Sequence, residues 1–320
     1  MIFVTGANGF VGSALCTRLS DQKIPVVAAA RTERSAAHLA RLAYVSARLV
    51  PDLLSTRAEQ DWTAALAGCE VVVHTAARVH VMTTHADDTD LFTQINVNGT
   101  LTVARAAVRA GVKRFVYLST VKVHGERTEL GKPFEVNQAL RPLGAYAISK
   151  YQAEQGLRDI ATETGLELVI IRPPLVYGPG ASGNLALLMR WLAKGVPLPV
   201  GAMGQNARSL VGLDNLVDLI VTATWHKAAA NQAFLVSDDH DLSTLELVRL
   251  IAQAGHLPAR TINVPVSLLR GLAGLVGKSG YVDRLTESLQ VDISATKALL
   301  DWSAPVGIVD SMARLFEPRA

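Results

Sequence analysis

A tyrosine and a lysine lie four residues apart, at Tyr146 and Lys150, in the stretch GAYAISKYQAE. On an α-helix, residues i and i+4 share a face with Cβ atoms about 6 Å apart, so a phenol and an ammonium can reach one common point. Such a pair can move a proton to or from a substrate oxygen. The alternative is an ordinary exposed helix start, because Tyr-x-x-x-Lys occurs by chance in many helices.

The elements that would position this pair alternate along the chain. β-Branched runs such as MIFVTG, CEVVVHTAA, RFVYLST and LELVIIRPP are separated by helical stretches, among them residues 10–21 and 98–110. This alternation is typical of βαβ units, so it predicts an α/β fold with a doubly wound parallel sheet. After RPPLVYGPG, proline and glycine become more frequent, which predicts a smaller C-terminal α/β substrate lobe.

Three glycines, Gly6, Gly9 and Gly12, follow the first β-branched run in VTGANGFVG and begin a helix. Glycine at such positions permits a tight turn, close approach of the backbone to a pyrophosphate, and exposed N–H groups at a helix N-terminus. The spacing is G-x-x-G-x-x-G and not the commoner G-x-G-x-x-G. On the first strand of an alternating pattern it predicts a dinucleotide-binding loop; the alternative is a purely structural turn.

Each predicted lobe is built from two stretches of chain. We expect residues 1–177 and 208–238 to form a dinucleotide-binding Rossmann domain, because the strand-like SLVGL and the helical DNLVDLIVTAT return to the first pattern. Residues 178–207 and 239–320 would then form the substrate-binding lobe.

Composition narrows the function classes. The 320 residues are 49% hydrophobic and 18% charged, enough for a large core. The net charge of +3 is spread without a basic block, which argues against nucleic-acid binding and suits a small anionic ligand. We see no secretory signal, and Cys16 and Cys69 suit reduced thiols in a cytoplasm.

The chain has no apolar run long enough to span a bilayer, so we expect no membrane insertion. The nearest is VPVSLLRGLAGLVG at residues 264–277, which Arg270 interrupts. We interpret it as a packed helix; a membrane-surface helix is the alternative.

Taken together, these residues resemble the extended short-chain dehydrogenase/reductase family over nearly the whole chain. The matching stretches, in order, are TGANGFVG, PDL, HTAA, NVNGT, LSTVKVHG, YAISK and RPPLVYGPG. The resemblance implies that Tyr146 is the general acid/base, that Lys150 holds the nicotinamide ribose, and that Thr120 binds the reacting oxygen. Asn96 is a candidate member of a water relay.

The resemblance also implies a set of residues that contact the cofactor. Besides Tyr146 and Lys150 they are Gly6, Asn8, Gly9, Phe10, Gly12, Asp52, Leu53, Ala76, Ala77 and Pro173, with Arg31 and Arg34 at the end of the second strand.

NADP(H) is the favoured cofactor. Relatives that use NAD typically end the second strand with an acid that binds the ribose 2′-hydroxyl, whereas Ala30 stands here, followed by Arg31 and Arg34. A guanidinium can pair bidentately with a 2′-phosphate. If both arginines are solvated loop charges, NAD(H) remains possible.

Catalysis by Tyr146 needs a perturbed pKa. Bringing a phenol from its ordinary pKa of about 10 to neutrality takes about 4 kcal/mol. A charge about 4 Å away supplies that much at an effective dielectric near 20, but only about 1 kcal/mol in water. We therefore expect Lys150 to lower the pKa of Tyr146 only where the site excludes most water, an exclusion that a bound nicotinamide and a closing second lobe would provide.

The second lobe should choose the substrate. In similar nucleotide-sugar enzymes, an arginine in a segment like ARSLVGLDNLVD meets the diphosphate, which points to Arg208; Asn184 and Arg284 are further candidates, with Thr120 at the sugar. The loop HVMTTHADDTD at residues 80–90 contains His80, His85, Asp87, Asp88 and Asp90. Its spacing fits no familiar metal set, so we expect a polar lid and no metal.

The reaction type is narrowed by Val121 and Lys122, which stand where sugar 4,6-dehydratases of this family have Asp-Glu. Dehydration is therefore not expected. With His124 and RSLVGLDNLVDLI, the resemblance favours NADP(H)-dependent reduction of the C4 ketone of a UDP-4-keto-6-deoxy-N-acetylhexosamine, for surface polysaccharide such as lipopolysaccharide O-antigen. The first alternative is a UDP-sugar 4-epimerase that retains NAD. A second is an NADP-sensing regulator without turnover.

The resemblance further implies a cytoplasmic homodimer. The helices at residues 101–111 and 148–161 could form the four-helix interface usual in relatives, or they could be solvated outer faces.

Overall fold

The computed structural model describes residues 1–53, 58–79, 87–181, 183–275 and 279–317. The strands are β1 (Ile2–Thr5), β2 (Val26–Ala30), β3 (Val45–Leu49), β4 (Val71–His74), β5 (Arg114–Leu118), β6 (Glu167–Arg172), β7 (Leu175–Tyr177), β8 (Leu210–Gly212) and β9 (Gln232–Leu235). The helices up to the seventh are α1 (Phe10–Asp21), α2 (Glu33–Leu39), α3 (Ala58–Ala65), α4 (Asp87–Phe92), α5 (Thr100–Arg109), α6 (Gly144–Thr164) and α7 (Asn184–Ala193). The remaining helices are α8 (Leu213–Trp225), α9 (Thr244–Ala254), α10 (Val266–Leu275), α11 (Ser279–Thr286), α12 (Ser294–Leu300) and α13 (Ile308–Ala313).

Seven strands of the described chain form one parallel sheet in the order β3-β2-β1-β4-β5-β6-β9. Strand β1 lies between β2 and β4, so the strand order reverses at this point. A reversal of this kind opens a crevice at the carboxyl ends of the two strands, where α/β proteins bind ligands. The predicted doubly wound α/β fold is confirmed.

Side chains alternate between the two faces of the sheet because successive residues of a strand point in opposite directions. In β1, Val4 joins a core cluster that includes Leu15 of α1. The neighbouring Phe3 belongs to the cluster on the other face, where its ring meets Trp62 edge to face and Leu157 of α6 is buried. Both faces of the sheet are therefore covered by helices.

Helix α1 matches the predicted bounds, whereas the helix predicted at 98–110 begins differently. A π-helical segment, Thr93–Gly99, leads directly into α5. Single π turns are frequent at functional sites, and Asn96 lies within this one. Helix α6 begins at Gly144, whose φ of +78° favours glycine.

Strands β7 and β8 form a separate two-stranded parallel sheet. A third core cluster lies beside it and includes Tyr177, Leu192, Leu210, Val248 and Met312. Strand β9, from the stretch predicted to return to the first domain, completes the large sheet next to β6. The assignment of residues 178–207 and 239–320 to substrate binding stays a prediction.

The predicted apolar helix at residues 264–277 corresponds to α10 (Val266–Leu275), and residues 276 and 277 lie outside the described residues. On α10, Val266 and Leu269 pack against the third core cluster. Among the described helices, none is long and apolar enough to cross a membrane. Cys16 and Cys69 are buried free thiols, and burial raises the pKa of each.

Candidate active site

The glycine loop between β1 and α1 is held by contacts between backbone atoms. Gly6 has a φ of +66°, and its carbonyl accepts a hydrogen bond of 2.7 Å from Gly9 N. A Cβ atom on Gly12 would lie 2.2 Å from the Gly6 oxygen, so no other residue fits there. Asn8 and Gly9 are exposed beyond this turn, and α1 begins at Phe10. The result is an open cradle at a helix N-terminus, which fits a dinucleotide pyrophosphate.

A buried histidine supports this loop from the neighbouring strand. His74, the last residue of β4, lies 3.0 Å from Thr5 Oγ1 through Nδ1 and 3.1 Å from Thr100 Oγ1 through Nε2. Burial, with the Lys150 charge as a smaller cause, lowers the pKa of His74 to about 3, so the ring is neutral at physiological pH. The motif HTAA points to Ala76 and Ala77 but not to His74, which sequence reasoning missed.

The turn after β4 approaches the glycine loop closely. Ala76 N donates to Thr5 Oγ1 at 3.3 Å, and a Cβ added at Gly6 would lie 2.7 Å from Ala76 N. Ala76 and Ala77 are half-buried at this point. The structure therefore brings the HTAA turn and the glycine loop to one edge of the sheet.

The end of β2 is basic and exposed. Arg31 and Arg34 both face solvent, and Thr32 caps α2 by accepting a hydrogen bond from Ser35 N at 3.2 Å. A cleft of about 530 Å³ lies between α2 and the glycine loop. Its lining residues are Asn8, Arg34, Ser35, Ala37, His38 and Arg41. Arg34 lines this cleft together with His38 and Arg41, two residues that sequence reasoning missed. Arg31 is not among the lining residues.

The predicted adenine contacts lie in the loop after β3. Asp52 is exposed and Leu53 is half-buried. Leu53 packs so closely on Gly99 that a Cβ on that glycine would lie 2.9 Å from Leu53 Cβ. Leu53 therefore joins this loop to the π-helical segment that carries Asn96.

Tyr146 and Lys150 lie on the first turns of α6, as predicted. Tyr146 is half-buried and meets the ring of Phe92 edge to face, with the centroids 6.1 Å apart. Lys150 is buried, and its Nζ lies 4.2 Å from the centroid of the Tyr117 ring. A cation over an aromatic face in a desolvated place is attracted by the ring quadrupole.

Burial dominates the electrostatics of this pair. It raises the pKa of Tyr146 to about 12 and lowers the pKa of Lys150 to about 7, the latter opposed by the Glu154 carboxylate. In the free chain, burial by the protein alone raises the pKa of Tyr146, and the effect of a bound nicotinamide and a closing lobe stays a prediction. Desolvation disfavours the charged form of both groups, and Lys150 is itself partly neutral near pH 7.

Thr120 lies at the end of β5, buried, and caps the short 3-10 turn Val121–Val123. Its Oγ1 accepts a hydrogen bond from Lys122 N at 3.3 Å, so the hydroxyl hydrogen can still be donated to a substrate oxygen. Val121 N donates to Pro173 O at 2.9 Å, which brings the predicted cofactor contact Pro173 beside this turn.

Asn96 is buried and bound on several sides. Its Oδ1 accepts from Arg78 N at 2.8 Å, while its Nδ2 donates to Arg78 O and to Ser149 Oγ, each at 3.0 Å. Ser149 Oγ in turn donates to Tyr146 O at 2.8 Å. These contacts tie the turn after β4 to the first turns of α6.

An ion pair missed by sequence reasoning lies behind the site. Glu154, one turn beyond Lys150, binds Arg172 of β6 through contacts of 2.6 and 3.1 Å, and both side chains are at most 3% exposed. Ser119, next to Thr120, donates to Glu154 Oε1 at 2.5 Å. The sequence feature that could have predicted this pair is Arg172, a charged residue within the otherwise apolar stretch VIIRPP.

His124 extends the same network. Its Nε2 lies 3.1 Å from Arg172 Nη1, and its ring stacks on Phe134 at 5.4 Å. Burial and the Arg172 charge lower the pKa of His124 to about 3, so it is a neutral acceptor for the guanidinium.

The predicted substrate residues are brought together only in part. Arg208 Nη1 donates to the carbonyl oxygens of Arg284 and Glu287, each at 3.0 Å, and burial lowers the pKa of Arg208. The side chain of Arg284 is exposed. Asn184 is exposed at the start of α7, and none of the contacts described for the chain joins it to these arginines.

The predicted lid falls largely outside the described residues. His80 and His85 lie there, Asp87 and Asp88 are described only by their place in α4, and Asp90 is exposed. Within the described ranges, no group of three or more His, Cys, Asp or Glu side chains is placed to hold a metal ion.

Comparison with known proteins identifies the family. The family model described as "NAD dependent epimerase/dehydratase family" matches residues 2–237. A UDP-glucose 4-epimerase of Vibrio cholerae is 43% identical over 305 residues, which cover 95% of this chain and 90% of that protein. The N-acetyl-alpha-D-glucosaminyl-diphospho-ditrans,octacis-undecaprenol 4-epimerase of Escherichia coli O157:H7 is 31% identical over 277 residues, covering 84% of this chain and 77% of that protein.

Solved structures show the same fold. The UDP-glucuronic acid 4-epimerase from Bacillus cereus, in complex with NAD, superposes with a TM-score of 0.79 at 21% identity, covering 98% of this chain and 94% of its own. MoeE5 in complex with UDP-glucose and NAD superposes with a TM-score of 0.75 at 23% identity, covering 98% of this chain and 96% of its own. The chain therefore belongs to the NAD dependent epimerase/dehydratase family and is an enzyme of the extended short-chain dehydrogenase/reductase type.

Proposed function

We propose that this enzyme is a UDP-sugar 4-epimerase that uses a retained nicotinamide cofactor. The observation that carries the proposal is the placement of Tyr146 and the buried Lys150 on one helix, at the crevice that the glycine loop borders. The relatives support the choice of reaction, since the two described above are both 4-epimerases. The sequence analysis favours a 4-ketoreductase over a 4-epimerase, whereas the relatives favour the 4-epimerase.

We assign the cofactor to the glycine loop and to Lys150. Gly6, Gly9 and Gly12 leave the N-terminus of α1 open for a pyrophosphate because they carry no side chains, and Lys150 would contact the nicotinamide ribose from α6. When bound, an oxidised nicotinamide supplies a hydride acceptor and a positive charge. Asp52 and Leu53 stay the predicted adenine contacts.

Tyr146 is the residue placed to exchange the proton of the sugar C4 hydroxyl. Its pKa of about 12 keeps the phenol protonated in the free chain. Positive charge beside a phenol favours the phenolate, so occupancy of the site moves Tyr146 toward the form that accepts a proton. Thr120 would hold the reacting oxygen while Tyr146 takes its proton and later returns it to the same oxygen. The C4 hydrogen would be exchanged as hydride with the nicotinamide, and its return to one face or the other of C4 would invert or restore the configuration.

Substrate binding rests on the second lobe. Arg208 is held by two backbone carbonyls, so its guanidinium keeps one orientation, suited to a diphosphate. Arg284 and Asn184 are further candidates for the nucleotide or the sugar. A cytoplasmic homodimer and a role in surface polysaccharide synthesis stay predictions. The two helices predicted to form the dimer interface contact each other within one chain, where Leu101 of α5 packs on Gly156 of α6.

The experiment begins with protein purified without added nucleotide. We expect denaturation to release NAD, and we expect UDP-glucose to be converted to UDP-galactose, or the N-acetyl pair to interconvert, with no cofactor added. Chromatography of the UDP-sugars measures both directions. Absence of C4 interconversion with either pair, in protein shown to hold a nicotinamide dinucleotide, contradicts the proposal.

The second candidate is an NADP(H)-dependent 4-ketoreductase. It is favoured by Ala30, which leaves the end of β2 without a carboxylate, and by the cleft in which Arg34 and Arg41 lie. Stoichiometric oxidation of NADPH by a UDP-4-keto-6-deoxy-N-acetylhexosamine would support it. A dissociation constant that is lower for NADPH than for NADH would also support it, provided that Arg34→Ala reverses this preference. If bound NADPH is never oxidised and no sugar is converted, the regulator without turnover is left.

A further inference from the structure

Helix α10 exposes a row of leucines that the core does not use. Leu268, Leu272 and Leu275 are 53%, 55% and 84% exposed, and their spacing places them on one side of the helix. Val266 and Leu269, on a different side, pack against the third core cluster. Helix α10 thus carries two apolar sides, and the described structure covers one of them.

Exposed apolar side chains continue into the segments that adjoin α10. Ile262 is 49% exposed, and its backbone N donates to Leu198 O at 2.9 Å, which pairs the chain before α10 with the chain after α7. Val196 and Trp191, just upstream of that pairing, are 40% and 44% exposed. We call this set of side chains the α10 surface. Its members are Trp191, Val196, Ile262, Leu268, Leu272 and Leu275.

The charge of these segments has one sign. Residues 168–213 and 247–282 contain no Asp or Glu, although the chain has 28 of them. Arg190, Lys194 and Arg260 are exposed within these two stretches. Arg270, on α10 itself, pairs with Asp283 of α11 at 2.8 Å. Arg270 is therefore neutralised by Asp283, whereas the exposed cations Arg190, Lys194 and Arg260 have no carboxylate within their own stretches of chain.

We propose that the α10 surface docks this enzyme on the surface of an anionic phospholipid bilayer. The leucines come from α10, Trp191 from α7, and the cations from the segments that adjoin them. Exposed leucine and tryptophan accompanied by lysine and arginine are typical of surfaces that lie in the membrane interface. Each such cation near an anionic leaflet adds to the attraction. Helix α10 has 10 residues and spans about 15 Å, half of the hydrocarbon thickness, so it lies on the bilayer and does not cross it.

A second copy of the chain is the less favourable occupant. A symmetric dimer places the same patch of both subunits face to face. Here that would bring together two patches whose exposed cations Arg190, Lys194 and Arg260 have the same sign, with no carboxylate in either stretch to pair with them. An anionic headgroup layer supplies the missing charge.

The test is co-sedimentation of the full chain with vesicles of phosphatidylcholine alone and of phosphatidylcholine mixed with phosphatidylglycerol. We expect the enzyme to bind only the mixed vesicles. The variant L268S/L272S should bind about tenfold more weakly because two leucines leave the interface. The affinity of the variant K194Q/R260Q for the mixed vesicles should fall about fivefold for each cation removed. The matched control Leu130→Ser, a leucine 62% exposed outside the α10 surface, should bind as the parent does.

Sugar turnover in solution reports folding of each variant, since none of these side chains belongs to the candidate active site. Failure of the parent chain to bind mixed vesicles, or equal binding by the parent and L268S/L272S, overturns the proposal. If the parent elutes as a dimer and L268S/L272S as a monomer, without vesicle binding by either, the surface joins two copies and the proposal is wrong. These outcomes are independent of which sugar is converted.

Discussion

The ammonium of Lys150 lies 4.2 Å from the centroid of the Tyr117 ring, so the face of an aromatic side chain replaces water around a buried cation. Tyr117 comes from β5 and Lys150 from α6, and the contact joins the strand that ends near Thr120 to the helix that carries Tyr146. The charge state of Lys150 therefore depends on a residue that sequence reasoning did not single out.

Replacing Tyr117 by leucine should lower turnover about tenfold, because a desolvated cation–π contact of about 1.4 kcal/mol or more is lost and the charged form of Lys150 becomes less favourable. Tyr117→Phe keeps the ring face and should retain near-normal turnover. The measurement is kcat for C4 interconversion across pH. Equal losses in both variants would show that the ring face does not support Lys150.

Removing the hydroxyl of Tyr146 should lower turnover by about 100-fold or more, the usual size of a general acid/base contribution. Tyr146→Phe preserves the edge-to-face contact with Phe92, so packing is little changed. The matched control is Tyr151→Phe, on the same helix, with kcat measured at saturating UDP-sugar. A Tyr146→Phe enzyme as fast as that control would refute the role of Tyr146.

Lys150 should make the stability of the cofactor-free chain depend on pH. Burial lowers its pKa from 10.5 to about 7, so between those values the unfolded chain binds more protons than the folded chain. The free energy of unfolding therefore rises with pH across that window, and the cost of burying the ammonium is fully present below about pH 7.

The substitution Lys150→Met removes this titration. Relative to the parent, the variant should be most stable at low pH, and its advantage should shrink as pH rises toward 10.5. Urea unfolding of both proteins on either side of the window measures the difference. A difference that stays constant with pH would mean that Lys150 is not desolvated as described.

Breaking the buried pair between Glu154 and Arg172 should be strongly destabilising. Glu154→Gln leaves an uncompensated guanidinium in a place that is at most 3% exposed, which typically costs about 3–5 kcal/mol. Denaturant unfolding measures the loss. The control Glu129→Gln breaks an exposed pair with Lys132 and should leave the free energy of unfolding nearly unchanged. Similar losses in the two variants would contradict the argument.

Local patterns in the sequence were sufficient for the parts of the site that depend on neighbouring residues. The glycine spacing predicted the turn before α1, and the i, i+4 spacing predicted one shared helix face for Tyr146 and Lys150. The alternation of strand and helix predicted the sheet. Each of these follows from the geometry of a short segment.

The parts that sequence reasoning missed depend on residues far apart in the chain. His74 meets Thr5 and Thr100, and Arg172 meets Glu154 and His124, only after strands and helices have packed. Burial is likewise a property of the whole fold, which is why the raised pKa of Tyr146 in the free chain could not be predicted from the spacing of Tyr146 and Lys150. The exposed positions of Arg31 and Arg284 could not be read from spacing either.

The contact between Gly12 and the Gly6 oxygen also bears on how the cofactor is released. Because the loop is shaped by its own backbone, its conformational entropy is lost when the chain folds and not when a dinucleotide arrives. Binding to a preorganised cradle does not have to order this part of the receptor, so a departing nucleotide gains nothing from loop relaxation. We therefore expect the residence time of the cofactor to depend on contacts outside this loop, among them the contact proposed for Lys150.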